Sequence, residues 1–287
     1  MSSCLIFYIL LSSVICFSSS QSEPQSKNEN LFIGKYPIQG KTPGPIDIET
    51  SEVKNAHLSP IKVTRTRGDH VKMINNGVAI EGIADPGGNA VLTGGPFFHK
   101  KYQYYKIRYY WSGNSSGPAA TTVNGKNGTP IEALAIYYNE EYGSFENALN
   151  HRDGLAMLSA RIRVTSKPNQ EFTPFSKTLE KIVKPGSSAE MKKKYTFNWF
   201  DKFHPNDTSY FAYPSSYTDQ LSGKKYYCST VCILRPIIAS ISEKQFHESF
   251  GQLKNSRGGR LTNSAKQSPS DGRPIVQSSG FIQNAKG

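Results

Sequence analysis

Short apolar runs alternate with turn-forming residues from residue 31 to residue 254, and this rhythm predicts many short strands and few helices. The turns are marked by Asn75-Asn-Gly77, Asp85-Pro-Gly-Gly88, Thr93-Gly-Gly-Pro96 and Asn124-Gly125. Two segments alternate clearly enough to assign faces. Along Tyr105-Lys-Ile-Arg-Tyr-Tyr-Trp111, the residues Lys106, Arg108 and Tyr110 face one side, while Ile107, Tyr109 and Trp111 face the other. Along Pro130-Ile-Glu-Ala-Leu-Ala-Ile-Tyr-Tyr-Asn139, the residues Glu132, Leu134 and Ile136 share a face. Charge on an otherwise apolar strand points to a site, or to an ion pair between neighbouring strands. Helical periodicity is confined to residues 175–183 and 243–253. The expected fold is mixed and β-dominated: a large twisted, mostly antiparallel central sheet with short peripheral helices.

Residues 1–20 change the picture at the N-terminus. They carry no charge, hold an apolar run from Leu5 to Phe17, and end in Ser18, Ser19 and Ser20. This is the shape of a signal peptide, too short for a membrane span and followed at once by a polar stretch. A buried N-terminal helix or an uncleaved anchor is the alternative. The expected organisation is a signal peptide at 1–20, a loose segment at 21–30, one domain at 31–280 and a tail at 281–287. A secreted, extracellular chain without a membrane span follows. The sequons at Asn114, Asn127 and Asn206 are then N-glycosylation candidates, each in Gly/Ser/Pro-rich surroundings expected to be exposed.

Cleavage of the signal removes Cys4 and Cys16 and leaves Cys228 and Cys232. In an extended strand their four-residue separation spans about 13 Å, beyond the roughly 7 Å a disulfide tolerates between Cα atoms. They are expected as buried thiols. Net charge is +12, with basic clusters at Lys192-Lys-Lys194, Lys224-Lys225, and Arg257, Arg260 and Lys266. For a secreted protein this favours acidic extracellular glycans or matrix over nucleic acid as partner; the bland alternative is a solvated face that confers solubility.

The two assigned strands and their surroundings resemble the α-type carbonic anhydrases. The resemblance runs from Pro43-Gly-Pro-Ile-Asp-Ile48, similar to the family's Ser-Pro-Val-Asp-Ile, to Asp271-Gly-Arg-Pro274, similar to its Asn-Trp-Arg-Pro. Between them, in family order, come Ile74-Asn-Asn-Gly77, Ala90-Val-Leu-Thr-Gly-Gly-Pro96, Tyr138-Asn139, Asp153-Gly-Leu-Ala-Met-Leu158, Tyr210-Phe-Ala-Tyr-Pro-Ser-Ser216 and the strand into Pro236-Ile237.

The resemblance breaks at the chemistry. The family takes two zinc ligands from a Phe-His-Phe-His-Trp strand and a third from His-Leu-Val-His-Trp-Asn, and the matching positions here are Arg108, Tyr110 and Leu134. Zinc needs N, S or O donors at about 2.0–2.3 Å, and a guanidinium or an isobutyl group has no lone pair to give. The proton-shuttle histidine position holds Val78, the gatekeeping threonine corresponds to Asp219, and the glutamate that orients it falls near Ala120. None of His57, His70, His99, His151, His204 and His247 forms a His-x-His pair or matches a ligand position. The disulfide common in secreted relatives is absent, since no cysteine lies between Phe17 and Tyr227.

The resemblance therefore implies a pseudoenzyme without metal, cofactor or catalytic residues. Its expected role is that of an extracellular binding or matrix protein, with a biomineral matrix as one setting. The alternative is a zinc-dependent anhydrase acting through unconventional ligands. On the family's geometry, Arg108 points toward the vacated metal position and is expected to pair with Glu132 or Asp219, with Tyr110 donating to either carboxylate. The alternative for Arg108 is a side chain that runs out to solvent.

Overall fold

The computed structural model describes residues 43–64, 71–84, 90–126, 128–191 and 209–278, the side chains of 84 and 234–238 excepted. The signal segment, the loose segment, the tail, Asn127, Asn206, His70, His204 and Lys192 to Lys194 lie outside these residues. In chain order the strands are β1 (Asp47–Ile48), β2 (Lys54–Ala56), β3 (Ile61–Thr64), β4 (Val71–Asn75), β5 (Ile80–Ala84), β6 (Val91–Gly94) and β7 (Tyr102–Trp111). They continue as β8 (Thr122–Val123), β9 (Ile131–Asn139), β10 (Leu155–Thr165), β11 (Ser188–Met191), β12 (Tyr210–Thr218), β13 (Lys225–Ser242) and β14 (Val276–Ser278).

Twelve of these strands form one sheet in the order β11-β4-β5-β7-β9-β10-β13-β12-β14-β2, with β3 and β6 joined to it through β7. Pairing is mostly antiparallel; β10 with β13 and β14 with β2 are parallel. The mixed, strand-dominated architecture matches the expectation. The helices α1 (Phe145–Ala148), α2 (Thr173–Lys181) and α3 (Glu243–Ser249) are short. The last two overlap the segments whose period was helical, α2 lying two residues earlier and α3 ending at Ser249. Proline in the first turn starts α2, and a capping box between Ser242 and Gln245 starts α3.

One face of the sheet packs on these two helices. Tyr109 and Trp111 of β7 meet Phe175 and Phe250, with ring centroids of 4.9 Å for Tyr109–Phe175 and 5.2 Å for Trp111–Phe250. The other face carries Leu134, Ile136, Met157, Tyr213, Tyr217, Val231 and Ile233, and it is the face that opens into a cavity.

Two irregularities decide which side chains reach that face. The register of β7 on β9 shifts between Tyr104 and Lys106. Tyr105 is the extra residue, so it and Lys106 both turn to the cavity face while Tyr104 and Ile107 stay in the helix-covered core. In β13, two residues, Tyr227 and Cys228, oppose the single Ser216 of β12 between the pairs Ser215↔Ser229 and Tyr217↔Tyr226. The face therefore switches there, which sets Cys228 and Cys232 in separate core clusters.

Both cysteines are buried free thiols, as expected from their spacing. Burial pushes the Cys228 thiol up to about 12 and Cys232 well above its ordinary value. In a chain expressed from residue 21, a thiol reagent at pH 8 is expected to label neither cysteine until denaturant is added. Native labelling at the unfolded rate would contradict this burial.

The β4–β5 hairpin fixes the edge that bears on the site. Its turn needs Gly77, whose φ is +88° and whose missing Cβ would stand 2.1 Å from Ser256 Oγ. Buried Asn75 donates to the carbonyls of Ile182, Val183 and Lys254 and accepts from Gly77 N–H. One amide thus ties the end of β4 and the turn after it to the residues that follow α2 and to the segment after α3.

Candidate functional site

The cavity has a volume of about 240 Å³. Its floor comes from β7 and β9, which pair so that Arg108 faces Leu134 and Tyr110 faces Glu132. The end of β12 and the turn after it form one wall through Ser215, Ser216, Tyr217, Thr218 and Gln220, and Met157, Val231 and Ile233 form an apolar one. The three positions that the resemblance makes zinc ligands are therefore brought together as expected.

Arg108 is 3% exposed. Its Nε donates to Glu81 Oε1 at 2.9 Å, and Nη2 lies 2.8 Å from the same oxygen. Its Nη1 donates to the carbonyl of Thr218 at 3.2 Å. Lys106 Nζ reaches Glu81 Oε1 at 3.0 Å. Glu81 sits directly opposite Arg108 across β5 and β7, with Lys106 one pleat along, so one buried carboxylate serves two cations by strand register alone. The Tyr217 ring lies 5.7 Å from the Arg108 guanidinium carbon and 6.0 Å from Lys106 Nζ, adding cation–π attraction to both.

This corrects the expected pairing. The carboxylate of Arg108 is Glu81 on β5, and neither Glu132 nor Asp219 takes that place. Glu132 is buried and accepts from Thr121 N–H at 2.9 Å, Thr121 Oγ1 at 3.0 Å and Ser159 Oγ at 2.6 Å. Three hydrogen-bond donors satisfy it without a cation. Asp219 accepts from the backbone N–H and Oγ of Ser222, both at 2.8 Å. The Ser222 N–H is the main reason its carboxyl is held below the ordinary value, with smaller help from Lys106 and Arg108. Tyr110 lies beside the Arg108 guanidinium and donates to neither carboxylate. Arg108 does not run out to solvent. In the gatekeeper loop Tyr217, Thr218 and Gln220 line the cavity, and Asp219 does not.

Glu81 is the residue that the sequence reading passed over. Its trace was a charged residue inside the apolar run Ile80-Glu-Gly-Ile83, one hairpin turn after Asn75-Asn-Gly77.

The residues present do not fit a zinc ion. Arg108 is a fixed cation without a lone pair, Leu134 offers only methyl groups, and Tyr110 is the lone oxygen donor of the three. Among the described residues no three His, Cys, Asp or Glu side chains are placed to hold a metal. His57, His99, His151 and His247 are exposed and none lines the cavity. Ala120 lines it, and Val78 is 42% exposed.

The similarity to known proteins agrees with this fold. Residues 33–279 match the family of eukaryotic-type carbonic anhydrases. The chain is 27% identical to "Carbonic anhydrase 6" of Mus musculus over 208 residues, 69% of this chain and 62% of that protein. It is 26% identical to "Carbonic anhydrase 1" of Mus musculus over 250 residues, 84% of this chain and 91% of that protein. The matched stretch thus spans less than two thirds of the first of these relatives. With the large mixed sheet and the convergence of β7 and β9 on one cavity, a match over most of its length means that the chain belongs to the eukaryotic-type carbonic anhydrase family.

Proposed function

We propose that this chain is a family member without carbon dioxide hydratase activity, secreted and acting as an extracellular binding or matrix protein. The observation that carries the reading is the guanidinium of Arg108, fixed by Glu81 at a ligand position. Without a metal, water keeps a pKa far above neutrality, and no hydroxide nucleophile forms at neutral pH. What remains for the fold is recognition.

A net charge of +12 favours acidic partners such as sulfated glycans or the anionic components of a mineralising matrix. Lys224, Lys225, Arg257, Arg260 and Lys266 are exposed and available to them. Asn114 is exposed, at the start of a tight turn in which its Oδ1 accepts from Ser116 and Gly117 N–H, and it is the described candidate for glycosylation. No helix among the described residues is long and apolar enough to cross a membrane.

Stopped-flow hydration of carbon dioxide with zinc in excess is expected to stay at the uncatalysed rate; saturable hydration would overturn the reading. On a heparin column the protein is expected to be retained at low salt and released as salt rises, because exposed charges are screened over about 8 Å at physiological ionic strength. Retention no greater than that of a neutral protein of similar size would remove the polyanion partner.

A further inference from the structure

We propose that the tight hairpin of residues 254–260, with Lys184 beside it and Gly251 and His247 behind it, is the docking point for a sulfated glycan. The inference rests on the reading of this chain as a binder of acidic extracellular partners, and it names the surface and the anion that surface takes.

Four cations meet there. Lys254 and Arg260 stand opposite each other as an antiparallel bridge, with Arg257 in the turn between them. Lys184 joins them because Lys254 N–H donates to the carbonyl of its neighbour Val183 at 2.9 Å, and Asn75 holds the carbonyls of Val183 and Lys254 together at 3.1 Å each. All four are exposed, and among the described residues no carboxylate pairs with any of them. Glu248, the acid nearest to the hairpin in sequence, is taken by Lys244 at 3.7 Å. Like charges gathered without a counter-charge repel one another, so an anion is what this surface takes up.

One side chain fixes the hairpin. Asn255 Oδ1 accepts from the N–H of Arg257 at 2.9 Å and of Gly259 at 3.1 Å, and its Nδ2 donates to the carbonyl of Arg260 at 3.0 Å. Asn255 N–H to Gly259 O and Gly258 N–H to Asn255 O, both at 2.8 Å, close the turn, and Gly258 supplies a φ of +77°. The two arginines leave from a fixed backbone, so less ordering is lost when they bind. Gly251 leaves a notch behind Arg260: a Cβ there would lie 3.7 Å from both Arg260 Nη2 and His247 Nδ1. A sulfate seated in that notch takes a guanidinium fork on one side and an imidazole N–H on the other. A sulfate ester offers three free oxygens where a carboxylate has two. A surface that gathers two guanidinium forks, two ammonium groups and an imidazole calls for the larger number.

The test measures binding of a heparin octasaccharide, and of a hyaluronan octasaccharide that carries carboxylates alone, to the full chain over a range of salt. The heparin fragment is expected to bind at least about tenfold more tightly. Arg257→Gln with Arg260→Gln is expected to weaken heparin about tenfold and to lower the slope of log affinity against log salt by about 2, one for each lost contact. Lys224→Gln with Lys225→Gln removes the same charge elsewhere and is expected to change the affinity less than about twofold. Gly251→Leu, which removes no charge and fills the notch, is expected to weaken heparin about threefold or more. Equal losses in the two double variants, an unchanged constant in Gly251→Leu, or hyaluronan bound as tightly as heparin would overturn the proposal and leave a polyanion partner standing. A parent chain that binds neither glycan would remove the polyanion reading and this inference with it.

Discussion

Replacing Glu81 with leucine is expected to destabilise the protein by about 3–5 kcal/mol, the cost of leaving a buried charge without its partner. The effect is large because Glu81 holds two cations: Arg108 and Lys106 converge on one carboxylate oxygen, and their side chains are 3% and 10% exposed. Removing the carboxylate leaves both guanidinium and ammonium buried beside the Tyr217 ring. Arg108→Leu is expected to cost less, about 1–3 kcal/mol. In that variant Lys106 keeps its 3.0 Å contact and Glu81 stays neutralised. Urea denaturation of the two variants and the parent measures the difference directly. An Arg108 variant less stable than the Glu81 variant would mean that Lys106 does not share the pair.

The second large effect is a gain. Arg108→His, Tyr110→His and Leu134→His made together are expected to give a chain that retains about one zinc ion after dialysis. The backbone already provides the arrangement: Arg108 and Leu134 are direct partners across β7 and β9, and Tyr110 lies two residues along the same face of β7. Lys106 remains to neutralise Glu81 once Arg108 is gone. A chain with the first two changes and Leu134 retained is expected to hold zinc much more weakly, since a leucine closes the coordination sphere with no donor. Loss of zinc from the triple variant would show that the two strands do not converge as described.

Much of the fold was legible in the sequence, for reasons particular residues make plain. Alternation on β7 separated Arg108 and Tyr110 from Tyr109 and Trp111, and the structure keeps that division. Period placed α2 and α3. The spacing of Cys228 and Cys232 excluded a disulfide, and both are free. What sequence did not supply was the partner of Arg108. A strand pattern tells which side a residue faces but not which residue of a neighbouring strand stands opposite. The pairing Glu81↔Arg108 depends on the register of β5 on β7. Glu132 seemed available because a lone carboxylate on a buried strand calls for a cation. Thr121 and Ser159, two ordinary hydroxyl residues, met that need instead. Asp219 was misplaced by a loop in which the neighbouring Thr218 turns inward. The bulges at Tyr105 and in β13, which decide what reaches the cavity face, left no signature in composition or period.

The central claim is that an arginine pinned by a buried carboxylate has replaced the metal of this family's site. Metal analysis of the unaltered chain, incubated with excess zinc and then dialysed exhaustively, tests it most directly. The account predicts zinc far below one ion per chain, with no change on adding the chelator; about one zinc per chain, retained through dialysis and released only by the chelator, would contradict it.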